Sequence, residues 1–143
     1  MRFERLGLQF DYPENWVVDT GDGGDRLAAV TLSTPEGGFW SVSAHAPGGD
    51  PDQLATAVVR QMQHEYQDLD IARATETLAG HALEGYDFNF YCLDLTNTAM
   101  VRTVSTTNSI HLIFCQAEDR EWERVEPIFA AITASLVRRL APP

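Results

Sequence analysis

The side chains that could carry catalytic or metal-binding chemistry are few and scattered along the chain. His111 and Cys115 share a face of one expected strand, but at about 3.3 Å per residue they lie about 13 Å apart, too far for a nucleophile–base pair. Cys92 is too distant in sequence from Cys115 for a CxxC redox pair, and we expect two free, buried thiols. The histidines lack the HxH or HxxxH spacing of metal ligands; they are His45, His64, His81 and His111. The sequence therefore predicts no catalytic residue, no cofactor and no metal site.

The loop "DTGDGGD" at residues 19–25 is the one acidic stretch that suggests calcium. An EF-hand needs oxygen ligands at the first, third and fifth positions and a glutamate at the twelfth. Here the acids fall at Asp19, Asp22 and Asp25, with glycines where ligands should stand. This pattern favours a solvated turn-rich loop.

Arginine 102 is the charged residue whose position is most informative. It stands between Met100 and Val104 on one face of an expected strand, where a charge needs a partner. The expected register places it beside Tyr91, with Asp87 or Asn89 within one or two pairs. Two interpretations stay open: a stacked or salt-bridged arginine on a partly exposed sheet face, or a polar anchor inside a ligand or peptide groove. The candidate partner surface on this second sheet face consists of Phe39, Tyr91, Arg102 and His111.

Overall charge limits the class of partner. Ten basic residues stand against 21 acidic ones, which gives a net charge of −11. Such a surface repels a phosphate backbone, so nucleic-acid binding is disfavoured, and a charged partner is expected to be basic. All the basic residues are arginine. This excludes a Schiff-base lysine and a P-loop lysine.

The elements that must position these residues follow from hydrophobic periodicity and turn signals. Asp50 and Pro51 mark the start of a first helix, and Leu54, Val58 and Met62 form its apolar stripe. The turns "TNTA" and "TTNS" join three strands into a meander, and Pro127 predicts a break or kink in the last helix. Strands are predicted at 8–12, 16–19, 27–34, 39–46, 71–78, 82–93, 99–106 and 110–117, and the last helix at 119–139.

The opening "LQFDYPENWVV" carries a family resemblance. An aromatic-Tyr-Pro-x-x-Trp start, matched here by Tyr12, Pro13 and Trp16, is similar to the Mog1/PsbP family. The resemblance implies an α+β fold, in which a twisted antiparallel sheet is flanked by helices in an α/β/α sandwich, with the order β-β-β-β-α-β-β-β-β-α. Trp16 is then expected to be a core residue beneath the first turn, and the whole chain, 1–143, a single domain.

The members of that family act in different pathways. They include photosystem II extrinsic subunits, a Ran-binding protein, chaperones of type VI secretion effectors and uncharacterised bacterial proteins. The resemblance implies a non-enzymatic protein-binding or assembly module. The alternatives are a chaperone-like dimer that presents an apolar groove, and a small ligand-binding protein or hydrolase.

Location is predicted from the absence of sorting signals. The sequence has no run of about 18 apolar residues, and "MRFERLGLQF" lacks the apolar core of a signal peptide. We therefore expect a cytoplasmic protein with no membrane span.

Overall fold

A computed structural model describes residues 1–21 and 27–143 of the chain. Most of the 19–25 loop, and with it the calcium question, lies outside the described residues. The described part forms nine strands and two helices. In chain order these are β1 (Arg2–Arg5), β2 (Leu8–Asp11), β3 (Val17–Asp19), β4 (Ala28–Ser33), β5 (Phe39–His45), α1 (Pro51–Glu65), β6 (Asp70–Leu78), β7 (His81–Cys92), β8 (Leu95–Ser105), β9 (Ile110–Glu118) and α2 (Asp119–Val137).

Seven of these strands form one antiparallel sheet in the order β3-β4-β5-β9-β8-β7-β6. Alternate residues of each strand point to opposite faces. Met62 of α1 packs on the face that carries Phe88 and Val101, whereas Phe129 of α2 packs on the face that carries Ile113. The α+β class and the α/β/α layering expected from the sequence are confirmed.

A short hairpin precedes the sheet and was missing from the predicted order. Strand β1 pairs with β2 in a separate two-stranded ribbon, in which the Phe3 ring stacks on Phe10 at 4.9 Å between centroids. The turn uses Leu6 and Gly7, both at positive φ. Strand β1 has four residues and a single buried side chain, too few to show a recognisable period in the sequence. The observed order therefore has five strands before α1, where four were predicted.

The β4–β5 hairpin and the start of α1 follow their local signals. Leu32 pairs with Trp40 and Val30 with Val42, and all four are buried on one face, as the alternation predicts. At the helix start, the Asp50 side chain accepts a hydrogen bond from the Asp52 N–H at 2.9 Å. Both features are therefore confirmed.

The turn between β7 and β8 lies elsewhere than predicted. The chain reverses at Leu93 and Asp94, which have φ of 52° and 63°, and "TNTA" belongs to β8. Bulky residues rarely adopt this left-handed conformation, so local preference pointed to the polar segment instead. The shift of register moves Arg102 away from Tyr91 and places it opposite Gly85.

Helix α2 runs without interruption from Asp119 to Val137, with Pro127 in its interior, so a break at this proline is wrong and a kink stays a prediction. Proline removes one backbone hydrogen bond, but the apolar stripe on either side of it is buried: Val125, Phe129, Ile132 and Leu136. Burial of this stripe compensates for the lost bond. At the far end, Arg139 donates to the Ser135 carbonyl at 2.7 Å, which satisfies a terminal acceptor.

Two residues from the N-terminal part of the chain, Trp16 and Thr34, contact α2. Trp16 is 6% exposed and meets the Phe129 ring edge-on, with 5.6 Å between centroids, which confirms its place in the core. The first turn of α2 is anchored by Glu121, a buried residue whose carboxylate accepts a hydrogen bond from the Thr34 hydroxyl. These contacts fix the helix that covers the candidate site.

The remaining expectations concern the two cysteines and membrane-spanning helices. Cys92 and Cys115 are both free thiols, as expected, but only Cys115 is buried, whereas Cys92 is partly exposed. Within residues 1–21 and 27–143, neither helix combines the length and apolar character needed to cross a bilayer.

Candidate functional site

A cleft of about 400 Å³ lies between α2 and the sheet face that this helix covers. Its sheet wall comes from strands β6, β7, β8 and β9, and its helix wall from Trp122, Glu126, Phe129 and Thr133. The volume lies within the range of small-ligand pockets, about 300–1,000 Å³.

Arg102 forms part of the sheet wall and is 4% exposed. Its Nη2 donates to Asp87 at 2.8 Å and its Nε to Glu76 at 3.5 Å. Its Nη1 donates to the backbone carbonyls of Val101 at 3.0 Å and Tyr86 at 3.2 Å. The salt-bridged interpretation of Arg102 is therefore correct. The same side chain also lines a groove, so the second interpretation, a polar anchor, stays a prediction.

A glycine on the neighbouring strand leaves space for this guanidinium. Gly85 is the direct register partner of Arg102 and lies on the same sheet face. A Cβ at Gly85 would come within 1.9 Å of the Val101 carbonyl oxygen. The bare backbone thus allows β7 and β8 to approach closely and leaves the arginine side chain free to reach across β7.

The cleft carries more negative than positive formal charge. Glu76, Asp87 and Glu126 line it together with Arg102, so three carboxylates face one guanidinium. The side chains of Glu76 and Asp87 are 43% and 49% exposed, so both remain partly accessible to solvent. The site is therefore an acidic, partly apolar groove with a satisfied arginine in its wall.

Cys115 is the only thiol in the lining described, and it is not activated. Burial raises the pKa of this thiol far above its ordinary value, and the nearby Arg102 offsets only part of that shift. A neutral buried thiol is a poor nucleophile. Among the described residues, moreover, no group of three or more His, Cys, Asp or Glu side chains could hold a metal ion.

The four residues of the candidate partner surface do not form one exposed patch. Phe39 lies on the α1-covered face, where its ring meets Phe114 edge-on at 5.5 Å between centroids, so its assignment to the other face is wrong. Tyr91, Arg102 and His111 share the α2-covered face, but only Tyr91, at 65%, is exposed. Their role in binding a partner stays a prediction.

His111 is a buried residue of β9, 5% exposed, and lies beside the register partners Ala44 and Val104. Its Nδ1 is 3.3 Å from the Ser109 hydroxyl oxygen. Burial lowers the pKa of the imidazole, and the charge of His45 lowers it further. This histidine is part of the packed interior, away from the cleft lining.

An exposed apolar hairpin end lies beyond the cleft. Asp87 and Asn89 line the cleft, and Tyr91 follows them on the same face of β7. The chain then turns at Leu93, which is 92% exposed. Sequence reasoning missed this tip, as well as Glu76 and Glu126. The only available signal was a leucine-aspartate pair between two strands, where a hairpin usually has asparagine-glycine.

Comparison with proteins of known structure identifies the fold. No family model and no curated protein matches this sequence. Among solved structures, cyanobacterial PsbP (CyanoP) of Synechocystis sp. PCC 6803 superposes with a TM-score of 0.65 at 14% identity, over 94% of this chain and 89% of that one. The chain has a PsbP-like fold. The resemblance to the Mog1/PsbP family is thereby confirmed at the level of fold.

Two bacterial proteins share the PsbP-like fold at lower similarity. PA94 of Pseudomonas aeruginosa, a protein of unknown function, gives a TM-score of 0.54 at 12% identity, over 100% of this chain and 96% of that one. LpqN of Mycobacterium tuberculosis, involved in cell envelope biogenesis, gives 0.56 at 12% identity, over 86% and 78%. At such identities the similarity shows the fold and carries no function across.

Proposed function

We propose that this chain is a non-enzymatic module that binds another protein through the surface formed by the β7–β8 hairpin end and the acidic cleft beside it. The observation that carries the proposal is the exposure of Tyr91 and Leu93, at 65% and 92%, next to a groove with excess negative charge. Single exposed apolar residues are common, but adjacent ones at the mouth of a groove are typical of interaction sites.

The backbone of the hairpin end supports this proposal. Leu93 and Asp94 both have positive φ; aspartate tolerates this conformation, but for leucine it costs of order 1–2 kcal/mol. In this strained turn the side chain of Leu93 is exposed to water and contributes nothing to the core. A contact with a partner would recover the burial of that side chain.

Charge defines the partner's chemistry. The chain's net charge of −11 and the acidic cleft favour a basic protein, and electrostatic attraction would accelerate its association at low salt. A single domain over 1–143 and a cytoplasmic location are further parts of this proposal.

Site-specific crosslinking tests it. A photoreactive residue at position 91 is expected to capture one protein from extracts of the producing cells, whereas the same residue at the exposed Val17, on another strand, is not. The captured protein is then purified, and Leu93→Ser is expected to weaken its binding at least tenfold. Equal capture at both positions, or unchanged affinity of the Leu93→Ser variant, would refute the proposal.

A further inference from the structure

We infer that the cleft under α2 binds a cationic side chain with an apolar stem, an arginine or lysine supplied by a basic partner. This inference rests on the proposed function and specifies what part of the partner enters the groove. Three properties of the cleft lead to it: its charge, its apolar walls and its accessible carboxylate oxygens.

The charge of the cleft requires a second cation. Arg102 already directs four donor contacts to Asp87, Glu76 and two backbone carbonyls. Glu126 adds a third carboxylate to the same lining. An anion entering this space would face a net negative charge, and a neutral apolar group would desolvate carboxylates without pairing them. Only a cation improves the electrostatics on entry.

The walls suit a stem of methylene groups. Met100, Ile113 and Phe129 contribute apolar surface, and Trp122 adds an aromatic ring at the helix wall. Lysine and arginine bury their aliphatic stems against apolar surface while their charged ends remain polar. A cation near an indole ring is attracted to its face in addition. The volume of about 400 Å³ exceeds what one such side chain needs, so backbone atoms can follow it into the mouth.

The acidic oxygens are within reach from solvent. Each carboxylate has about four acceptor positions, and single Arg102 contacts occupy few of those on Glu76 and Asp87. Both side chains are nearly half exposed, and Glu126 is exposed on the opposite wall. An entering guanidinium or ammonium group can therefore contact carboxylates on both sides of the groove.

Titration with small probes tests the inference on the full chain. The probes are Nα-acetyl-arginine methylamide and Nα-acetyl-lysine methylamide, with the neutral citrulline and norleucine analogues as controls. The indole N–H signal of Trp122 is followed by NMR, and the backbone amide of Met62, in the helix α1 on the opposite face of the sheet, acts as an internal reference. We expect saturable shifts at Trp122 with both cationic probes and at least tenfold weaker binding of the neutral ones.

Variants locate the site. Glu126→Gln removes a charge that Arg102 does not use and is expected to weaken the cationic probes about twofold to fivefold. Glu123→Gln, at an exposed position of the same helix, is the matched control and should leave binding unchanged. Equal binding of neutral and cationic probes, or no Trp122 shift with any probe, would overturn the inference. If crosslinking at position 91 still succeeds, the proposed function survives that failure. Probe binding without a captured partner would refute the proposed function instead.

Discussion

Arg102 on β8 and Gly85 on β7 are direct register partners, and the side chain of the first extends over the bare backbone of the second. The pair lets a guanidinium lie almost fully buried within the sheet and still reach carboxylates on two neighbouring strands. The wall of the acidic cleft depends on this arrangement.

Gly85→Ala should destabilise the protein by more than about 3 kcal/mol, because the new Cβ would meet the Val101 carbonyl oxygen at 1.9 Å and force two strands apart. Gly21→Ala is the control, since a Cβ at Gly21 meets nothing within 4 Å. Urea unfolding followed by circular dichroism measures both. Equal stability of the two variants would contradict the close approach of β7 and β8.

Arg102→Met should lower the free energy of unfolding by about 1–3 kcal/mol, because it leaves the carbonyls of Val101 and Tyr86 without their side-chain donor. Arg102→Lys should recover only part of this loss, since an ammonium group cannot reproduce the planar fork. Chemical denaturation provides the measurement, with Arg60→Met at an exposed position of α1 for comparison. A fully stable methionine variant would show that the arginine is retained for another reason.

Trp16→Ala should cost about 3–5 kcal/mol, because it removes a buried ring that packs on Phe129 beneath α2. The neighbouring Val17→Ala, at a position 67% exposed, should change stability by less than about 0.5 kcal/mol. Thermal unfolding of both variants checks the difference. A small effect at Trp16 would mean that the core can close without it.

The stability of the protein should fall as the pH drops from 7 towards 5, in part through His111. Burial lowers the pKa of this imidazole in the folded state below its usual value of about 6.5, so the unfolded chain binds the proton more readily. The contribution is present above the unfolded pKa and is lost as the pH falls through it towards the folded pKa. Urea midpoints across this range should be less pH-dependent in His111→Gln, and the exposed His64→Gln provides the comparison. An unchanged profile would argue against the shift.

Local signals in the sequence predicted the elements they control. Asp50 caps α1 and the alternation of Val30 and Leu32 sets the β4–β5 faces, because each depends on residues close in the chain. The β7–β8 turn was misplaced because Leu93 adopts a left-handed conformation that leucine disfavours. A displacement of three positions at a turn then changed every pairing across the hairpin.

The cleft was beyond the reach of sequence reasoning for a different reason. Glu76, Asp87 and Glu126 come from β6, β7 and α2, and only the tertiary packing brings them together. Arg102 was recognised because a charge between apolar neighbours on a strand needs a partner. Only one of its two carboxylate partners was predicted. Asp87 lay within two pairs of Arg102 in the expected register, whereas Glu76 was not among the expected partners.

Helix α2 serves two separate contacts along its length of about 28 Å. Its residues from Trp122 to Thr133 line the cleft, and the Ser135 hydroxyl just beyond them accepts a hydrogen bond from the Asp11 N–H of the β1–β2 ribbon at 2.9 Å. A shift of α2 that widens the groove is therefore expected to reach the ribbon through this hydrogen bond. Binding in the groove should therefore change the rate of amide hydrogen exchange in the first eleven residues, which lie outside the cleft lining.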